Sequence, residues 1–238
     1  MYHWQDIKDN QVDKKFYVNG RPVFKQFKSI LKFHAPGLAP VEDESGWYHI
    51  NAIGMPIYNE RYVRAFGFYC ERAAVTSLNG CFHINPQGIR IYSESYAWIG
   101  NYQEEICPVR KQTPDTKQNI YFHIDLNGKR LYPDNYLYAG DYRDGIAVVR
   151  NFDGLCHHID SHGKKINDKE FLDLGIFHKN IAPARDENGW FHSNMSGKAL
   201  YNKRYAALEP FYNGYAIVET FEQKKQIISE NGDVVLCL

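Results

Sequence analysis

A turn that ends in glycine recurs along this chain at an almost constant interval. The separations between successive turn glycines are, by subtraction, 34, 34, 40, 35, 34 and 35 residues. The glycines are Gly20, Gly54, Gly88, Gly128, Gly163, Gly197 and Gly232. A fixed period in this range is typical of repeat proteins, in which each repeat packs only against its neighbours. Function is therefore expected where the repeats differ from one another.

The clearest repeat, residues 121–154, reads as a series of short strands. Its first segment, 121–125, is rich in aromatic and β-branched residues, which favour strands. After the turn, the pattern predicts a second strand at 129–132, a short irregular element at 136–142 and a last strand at 145–150. No segment shows convincing helical amphipathicity, so the prediction is an all-β fold.

The irregular element and the strand after it carry two position-specific signals. The element holds two aromatic residues six positions apart in each repeat, and we expect them in the core. These pairs are Phe27/Phe33, Tyr62/Phe68, Tyr96/Tyr102, Tyr136/Tyr142, Phe171/Phe177 and Tyr205/Phe211. The last strand contains a proline in three repeats, at Pro40, Pro108 and Pro183. Because proline lacks a backbone N–H, these strands are expected at a sheet edge, or with that amide facing away from a partner.

Two arrangements of such repeats are consistent with the sequence. Radial packing gives a propeller-like toroid, and linear packing gives an open curved β-hairpin solenoid. We favour the toroid, because a small-residue strand, a hairpin and an outer element follow one another as in a propeller blade. A single domain, 1–238, with about six to seven repeats is predicted. The repeats lie near 16–46, 47–80, 81–119, 120–154, 155–189 and 190–223, with a partial one at 224–238.

The repeated sequence pattern resembles the WG β-repeat family of bacterial proteins. Residues 142–148 match the first part of the family pattern, 121–125 and 128–132 match the middle, and Tyr136 and Ala139 match the end. The Trp-Gly pair itself is lost, and His replaces the usual Tyr in five repeats. The resemblance implies an interaction or recognition module without a shared catalytic site. Versions rich in His-Ile-Asp resemble regions that precede a methyltransferase domain in a longer protein.

Composition narrows the classes of partner. The 28 Lys and Arg residues equal the 28 Asp and Glu residues, so no electrostatic footprint favours nucleic acid or an anionic membrane. No apolar run approaches the ~18 residues of a membrane span. The five cysteines lack C-x-x-C spacing, which disfavours disulfides and zinc. Buried free thiols in a reducing cytoplasm are expected, with no cofactor.

One position of the irregular element holds a different residue in each repeat. This rim position, two residues after the first aromatic, holds Ser29, Arg64, Trp98, Tyr138, Asp173 and Ala207. Such a mixture indicates exposure, because buried equivalent positions stay apolar. Trp98 and Tyr138 belong to adjacent repeats and are expected to be neighbours on one rim, where exposed aromatic residues are typical of recognition. The alternative is that they pack against the loop 110–119.

The loop at 110–119 is the insertion that lengthens one interval to 40 residues. Insertions in repeat proteins often lie on the binding face, although drift in a tolerant loop is the alternative. Asn101 and Asp141, three residues after the rim positions, are expected to add polar contacts. The predicted binding residues are Trp98, Tyr138, Asn101, Asp141, Arg64 and Lys111.

The in-register histidines offer a different kind of site. They are His49, His83, His123, His158 and His192. A ring of imidazoles in a toroid is one way to hold a metal, but we favour one hydrogen bond from each histidine to a neighbouring repeat. The segment 156–158, Cys-His-His, aligns with ordinary strand positions, and Glu104-Glu105 reads as a solvated turn. No catalytic site is therefore predicted.

The sequence thus predicts a non-catalytic cytoplasmic module that binds a peptide or protein partner, and neither nucleic acid nor membrane. It leaves the oligomeric state open. The module is also consistent with the substrate-recognition part of a larger enzyme such as a methyltransferase. The alternatives are a carbohydrate-binding, lectin-like propeller, for which 18 tyrosines and 14 phenylalanines offer stacking surfaces, and a metal-binding histidine ring.

Overall fold

Antiparallel β-sheets follow one another along the whole chain. The structure is a computed structural model, and it describes residues 2–24 and 27–238. A 3-10 turn at Trp4–Asp6 precedes the first strand. The first three sheets, in strand order, contain β1 (Lys8–Asn10), β2 (Lys15–Val18) and β3 (Arg21–Val23); β4 (Ser29–Ile30), β5 (Ala39–Asp43) and β6 (Gly46–Ile50); and β7 (Arg64–Tyr69), β8 (Arg72–Ser77) and β9 (Gly80–Ile84).

Three more sheets keep the three-stranded order, and the seventh adds a fourth strand. The three contain β10 (Trp98–Ile99), β11 (Cys107–Gln112) and β12 (Asn119–Ile124); β13 (Tyr138–Ala139), β14 (Ile146–Arg150) and β15 (Cys156–Asp160); and β16 (Asp173–Leu174), β17 (Ile181–Asp186) and β18 (Gly189–Asn194). The seventh sheet contains β19 (Ala207–Leu208), β20 (Tyr215–Glu219), β21 (Lys225–Ser229) and β22 (Val234–Cys237). The predicted all-β tandem repeat is confirmed.

The chain divides into two compact units. The N-terminal unit comprises Met1–Asn119 and His123–Arg130, and the C-terminal unit comprises Ile120–Phe122 and Leu131–Leu238. In the described ranges, no helix is long and apolar enough to cross a membrane.

Each sheet joins the end of one sequence repeat to the beginning of the next. β5 and β6 pair antiparallel through a tight turn, with Val41 opposite Tyr48. The repeat boundary placed between residues 46 and 47 therefore falls inside β6. Pairing follows chain order because consecutive antiparallel strands need only a short turn to meet.

The strand predicted after each glycine turn is reduced to a single bridge in most repeats. Ile124 meets Arg130 only as an isolated bridge, and Ile84 meets Arg90 in the same way. In the described residues this segment forms a full strand in the first sheet, as β3 after Gly20, and in the seventh sheet, as β22. The physical reason is that an aromatic ring leaves the sheet here to pack on the next repeat. The prediction of a second strand is therefore wrong in the five repeats between the first and seventh sheets.

The proline-containing strands are central, so their predicted edge position is wrong. Pro40 lies in β5, which has β4 on one side and β6 on the other. Its carbonyl accepts a hydrogen bond of 2.9 Å from the Leu31 N–H. Pro40 has no N–H to donate back on this side of β5. The neighbouring strand β4 has only two residues and ends just before this point. The bond that Pro40 cannot donate is the last of a very short ladder, so its loss costs little.

The aromatic pairs of the irregular elements form the core, as predicted. Eleven of these twelve side chains are buried, and Tyr62 is half-buried. The cysteines are free, but the expectation of buried thiols holds only for Cys107 and Cys156. Cys70 and Cys237 are exposed, because a turn and an edge strand place them at the surface.

Candidate functional site

The two rim aromatic residues lie on short strands with their side chains partly in solvent. Trp98 is 39% exposed and belongs to the N-terminal unit, whereas Tyr138 is 48% exposed and belongs to the C-terminal unit. The residue after each one, Ile99 or Ala139, is buried. Strand alternation explains the difference, because successive side chains point to opposite faces.

Tyr138 forms a small aromatic and acidic surface in the C-terminal unit. Its ring centroid lies 5.9 Å from that of Tyr121, and across the strands it stands opposite Arg150. Burial, and then the nearby Asp141 carboxylate, raise the pKa of the Tyr138 hydroxyl. Burial also raises the pKa of the Asp141 carboxyl. The surface therefore combines a half-exposed ring with a carboxylate whose charge is only partly solvated.

In the N-terminal unit the rim positions contact basic residues. Trp98 stands opposite Arg110 across the strands. Arg64 places its guanidinium carbon 3.9 Å from the ring centre of Trp47 and 5.5 Å from that of Phe66. This cation–π geometry keeps Arg64 half-buried and in place. The Arg64 side chain therefore packs on β6, a strand of the preceding sheet.

The predicted loop at 110–119 is in part an extension of strands. β11 continues through Gln112 and β12 begins at Asn119, so only the tip, residues 113–118, is a turn. The Thr113 N–H donates to the Gln118 carbonyl at 2.9 Å, which closes the tip. Lys111 is exposed on the extended part of β11. The inserted residues lengthened a hairpin because its backbone groups pair with each other.

Asn101 lines a cavity of about 300 Å³ in the N-terminal unit. Further lining residues are Asp9, Lys32, His34, Phe66 and Tyr69. The His34 ring lies 4.8 Å from the ring of Tyr69. A Cβ on Gly67 would lie 2.5 Å from the His34 ring, so glycine at this position leaves the room that the imidazole occupies. Burial lowers the pKa of His34, which favours the neutral ring.

The cavity residues were missed at the sequence level, although Phe66 carried a signal. The three repeats that follow have Gly100, Gly140 and Gly175 at its position. A large aromatic residue where neighbouring repeats have glycine marks a departure from the scaffold. Phe66 is 37% exposed at the cavity edge.

The recurring histidines connect consecutive sheets by a common arrangement, which we term the latch. The His83 Nδ1 lies 2.6 Å from the hydroxyl of Tyr92, and its Nε2 lies 3.1 Å from the carbonyl of Gly100, which follows β10 of the next sheet. His192 repeats this with Tyr201 at 2.6 Å and the Glu209 carbonyl at 2.9 Å. His49 does so with Tyr58 and with the Phe66 carbonyl. The predicted bond to a neighbouring repeat is therefore corrected: His83 and Gly100 lie in the same repeat, 81–119, and the bond joins two consecutive sheets because each sheet spans a repeat boundary.

The chemistry of the latch assigns its protons. A carbonyl oxygen only accepts, so each Nε2 carries a proton and donates it. The Nδ1 is then the acceptor, and the tyrosine hydroxyl donates to it. Burial lowers the pKa of His49, His83, His158 and His192 to about 4, which keeps the rings neutral at pH 7.

This arrangement argues against a metal-binding histidine ring. In His49, His83 and His192 both ring nitrogens are already engaged, which leaves no free lone pair for a metal. Over residues 2–24 and 27–238, no three His, Cys, Asp or Glu side chains form a group that could hold a metal ion.

The segment 156–158 has no feature of an activated nucleophile. All three residues lie in the buried strand β15. Burial raises the pKa of the Cys156 thiol, which favours the unreactive protonated form. His158 donates through Nε2 to the Gly175 carbonyl at 2.9 Å, like the other latch histidines. These are strand positions, as predicted, and Glu104-Glu105 is a turn with both residues at positive φ.

No family model and no curated protein matches the sequence. Solved structures do match. BamB from Moraxella catarrhalis is 12% identical, covers 94% of this chain and 76% of its own, and gives a TM-score of 0.51. A eukaryotic initiation factor is 9% identical with coverages of 95% and 72% and a TM-score of 0.62. Hsv2p from Kluyveromyces lactis is 8% identical with coverages of 94% and 92% and a TM-score of 0.50.

These neighbours confirm the predicted fold class. They are β-propeller repeat proteins, and the seven successive antiparallel sheets of this chain agree with that architecture. A β-repeat family is compatible with them. At these identities the likeness concerns the fold alone.

Proposed function

We propose that this chain is a non-enzymatic recognition module that binds a peptide segment of a protein partner in the cytoplasm. The β-propeller neighbours suggest an interaction or scaffold module. The observation that carries the proposal is the surface around Tyr138. There a half-exposed ring rests on Tyr121 beside the Asp141 carboxylate, at the rim position, which holds a different residue in each repeat.

The chemistry of this surface favours a particular peptide. An exposed tyrosine supplies a flat apolar contact with little side-chain entropy to lose, which is why tyrosines are common at interaction hot spots. Burial makes the charged Asp141 carboxylate less favourable, so a cation from a ligand would stabilise it. We therefore propose a segment with an apolar residue next to Lys or Arg. The exposed Trp98 and the Asn101 cavity give the N-terminal unit contacts of its own.

Peptides selected from a random phage-displayed library on the purified chain test the proposal. Replacing Tyr138 by Ala is expected to weaken the selected peptides about 30-fold, because hot-spot truncation costs about 2 kcal/mol. Trp98→Ala should weaken those that contact the N-terminal unit. Titration calorimetry measures both, and the melting temperature should stay unchanged because both rings are half-exposed.

Phe152→Ala is the matched control, because Phe152 is an aromatic residue of 46% exposure outside the rim positions. Equal losses for Phe152→Ala and Tyr138→Ala would contradict the site. A glycan array separates the lectin-like alternative: glycan binding without peptide selection would replace the proposal.

We further propose that the module serves as the recognition part of a larger enzyme such as a methyltransferase, and peptides resembling a methylation substrate would support this role.

A further inference from the structure

The cavity beside Asn101 is lined by equivalent positions of consecutive repeats. Lys32, Gly67 and Asn101 stand at the same place in three successive irregular elements, two residues after a buried apolar side chain. The later repeats have Asp141, Ile176 and Pro210 at this place. A position with one fixed structural task would keep one kind of residue, as the buried position before it does. The change in every repeat therefore marks a place where function is expected.

Several polar side chains of the cavity have hydrogen-bonding capacity to spare. Over residues 2–24 and 27–238, the Lys32 ammonium forms no ion pair, and neither the His34 ring nor the Asn101 amide has a hydrogen-bond partner in the protein. The Asp9 carboxylate accepts a bond of 2.5 Å from the side-chain amide of Gln11, which leaves it further lone pairs. A few polar groups that converge on a cavity are typical of a ligand site.

The two charges of the cavity have opposite signs. Asp9 and Lys32 do not pair with each other in the described part of the chain. Burial and then the Lys32 charge lower the pKa of His34, whereas the Asp9 carboxylate opposes them. Both charges therefore lie within electrostatic reach of one neutral imidazole. A ligand with a single charge would be attracted by one wall and repelled by the other, whereas a zwitterion complements both.

The rest of the cavity wall is apolar and held in place. Leu31, Phe66 and Tyr69 contribute it, and the Tyr69 ring packs on His34. The main chain of His34 is fixed in both directions by Leu38, whose carbonyl accepts its N–H at 3.0 Å and whose N–H donates to its carbonyl at 3.1 Å. A volume of about 300 Å³ is at the lower end of ligand pockets, so a small molecule fits rather than a long peptide.

We propose that this cavity binds a small zwitterion, in which an ammonium and a carboxylate are joined to an apolar body, as in an apolar α-amino acid or its dipeptide. In the complex the Asp9 carboxylate accepts from the ligand ammonium. The Lys32 ammonium and the Asn101 amide donate to the ligand carboxylate, and the apolar body packs on Phe66. The site uses no residue of the surface around Tyr138, so it is independent of the proposed peptide binding.

Titration of the purified full chain with defined probes, followed by nuclear magnetic resonance, tests the proposal. L-phenylalanine or L-alanyl-L-phenylalanine is expected to bind with a Kd of about 1 mM or tighter, and the better of the two reports the spacing of the charges. Two truncated probes, 2-phenylethylamine without the carboxylate and 3-phenylpropionate without the ammonium, should each bind at least about 10-fold more weakly. Absence of binding by both zwitterions, or equal binding of all four probes, would overturn the proposal.

Variants assign each charge to its partner on the ligand. Asp9→Asn should weaken the zwitterion by at least about 10-fold, yet bind 3-phenylpropionate as well as the wild type does, because that probe has no ammonium. Lys32→Met should weaken the zwitterion similarly and spare 2-phenylethylamine. Lys15→Met is the matched control, since Lys15 is an exposed lysine of β2 outside the cavity, and its variant should bind every probe normally.

The pattern of losses decides the assignment. Unchanged zwitterion affinity in both Asp9→Asn and Lys32→Met, or a loss of all probes alike in both, would show that these charges do not recognise the ligand. Melting temperatures verify folding. Lys32 is exposed, so its variant decides the outcome should Asp9→Asn unfold.

Discussion

Acidification is expected to unfold this chain between about pH 6.5 and pH 4, through the buried latch histidines. Burial lowers the pKa of His49, His83, His158 and His192 from 6.5 to about 4 in the folded chain. The unfolded chain therefore binds more protons below pH 6.5. Stability from the neutral rings is fully present above pH 6.5, falls as the pH drops, and is lost below the folded value near pH 4.

The expected loss of unfolding free energy is comparable with the whole stability of a typical domain. A difference of about 2.5 pKa units corresponds to about 3 kcal/mol for each histidine. Four such residues together approach the roughly 5–15 kcal/mol by which most domains are stable. Protonation also places a proton on Nδ1, where the hydroxyl of Tyr58, Tyr92 or Tyr201 now donates. Far-ultraviolet circular dichroism followed against pH and denaturant measures the change.

The seventh sheet supplies a variant for this test. The double replacement His192→Ile with Tyr201→Leu installs the pair found at Ile227 and Leu236. It should reduce the slope of unfolding free energy against pH by up to about 1.4 kcal/mol per pH unit between pH 6.5 and 4, because one titrating site is gone. His162→Gln changes an exposed histidine and should leave the slope as it is. Stability that is constant from pH 7 to pH 4 would contradict the latch.

A single methyl group on the turn glycine Gly128 is expected to destabilise the chain by about 2–5 kcal/mol. Gly128 has a φ of +79°, and a Cβ there would lie 2.3 Å from the Cδ1 of Tyr92. The left-handed backbone costs an L-residue about 1–2 kcal/mol. Forcing the buried Tyr92 ring aside adds about 1–3 kcal/mol of overpacking.

Gly154→Ala separates these two contributions. Gly154 also has a positive φ, of +90°, but a Cβ there would meet nothing within 4 Å. It should therefore show the conformational cost alone, about 1–2 kcal/mol. Equilibrium unfolding in urea measures both variants. Equal destabilisation of Gly128→Ala and Gly154→Ala would show that the Tyr92 ring does not press on the turn.

The repeat fold was predictable because the same physical demands recur in every copy. A turn at positive φ, such as that at Gly128, demands glycine at a fixed place. A buried pair such as Tyr96 and Tyr102 demands aromatic residues at a fixed spacing. Because these demands recur in every repeat, the pattern can be recognised even where one repeat departs from it. The single bridge in place of a second strand was not predictable, since it depends on how the Tyr92 ring packs against Gly128 of the next repeat.

The candidate site was predictable only in part. The variable rim position indicated that Trp98 and Tyr138 are exposed, because burial would have kept that position apolar. The cavity that holds Asn101 depends on Asp9 and His34 from other repeats, and no pattern within one repeat could bring them together.

The central claim is that repeated residues hold this chain together while the variable rim binds its partner. The most direct measurement compares peptide affinity and melting temperature in the double variant Trp98→Ala with Tyr138→Ala. We predict that library-selected peptides lose binding by at least about 30-fold, as expected for hot-spot residues, while the melting temperature stays within error. Unchanged peptide affinity in a folded double variant would contradict the claim.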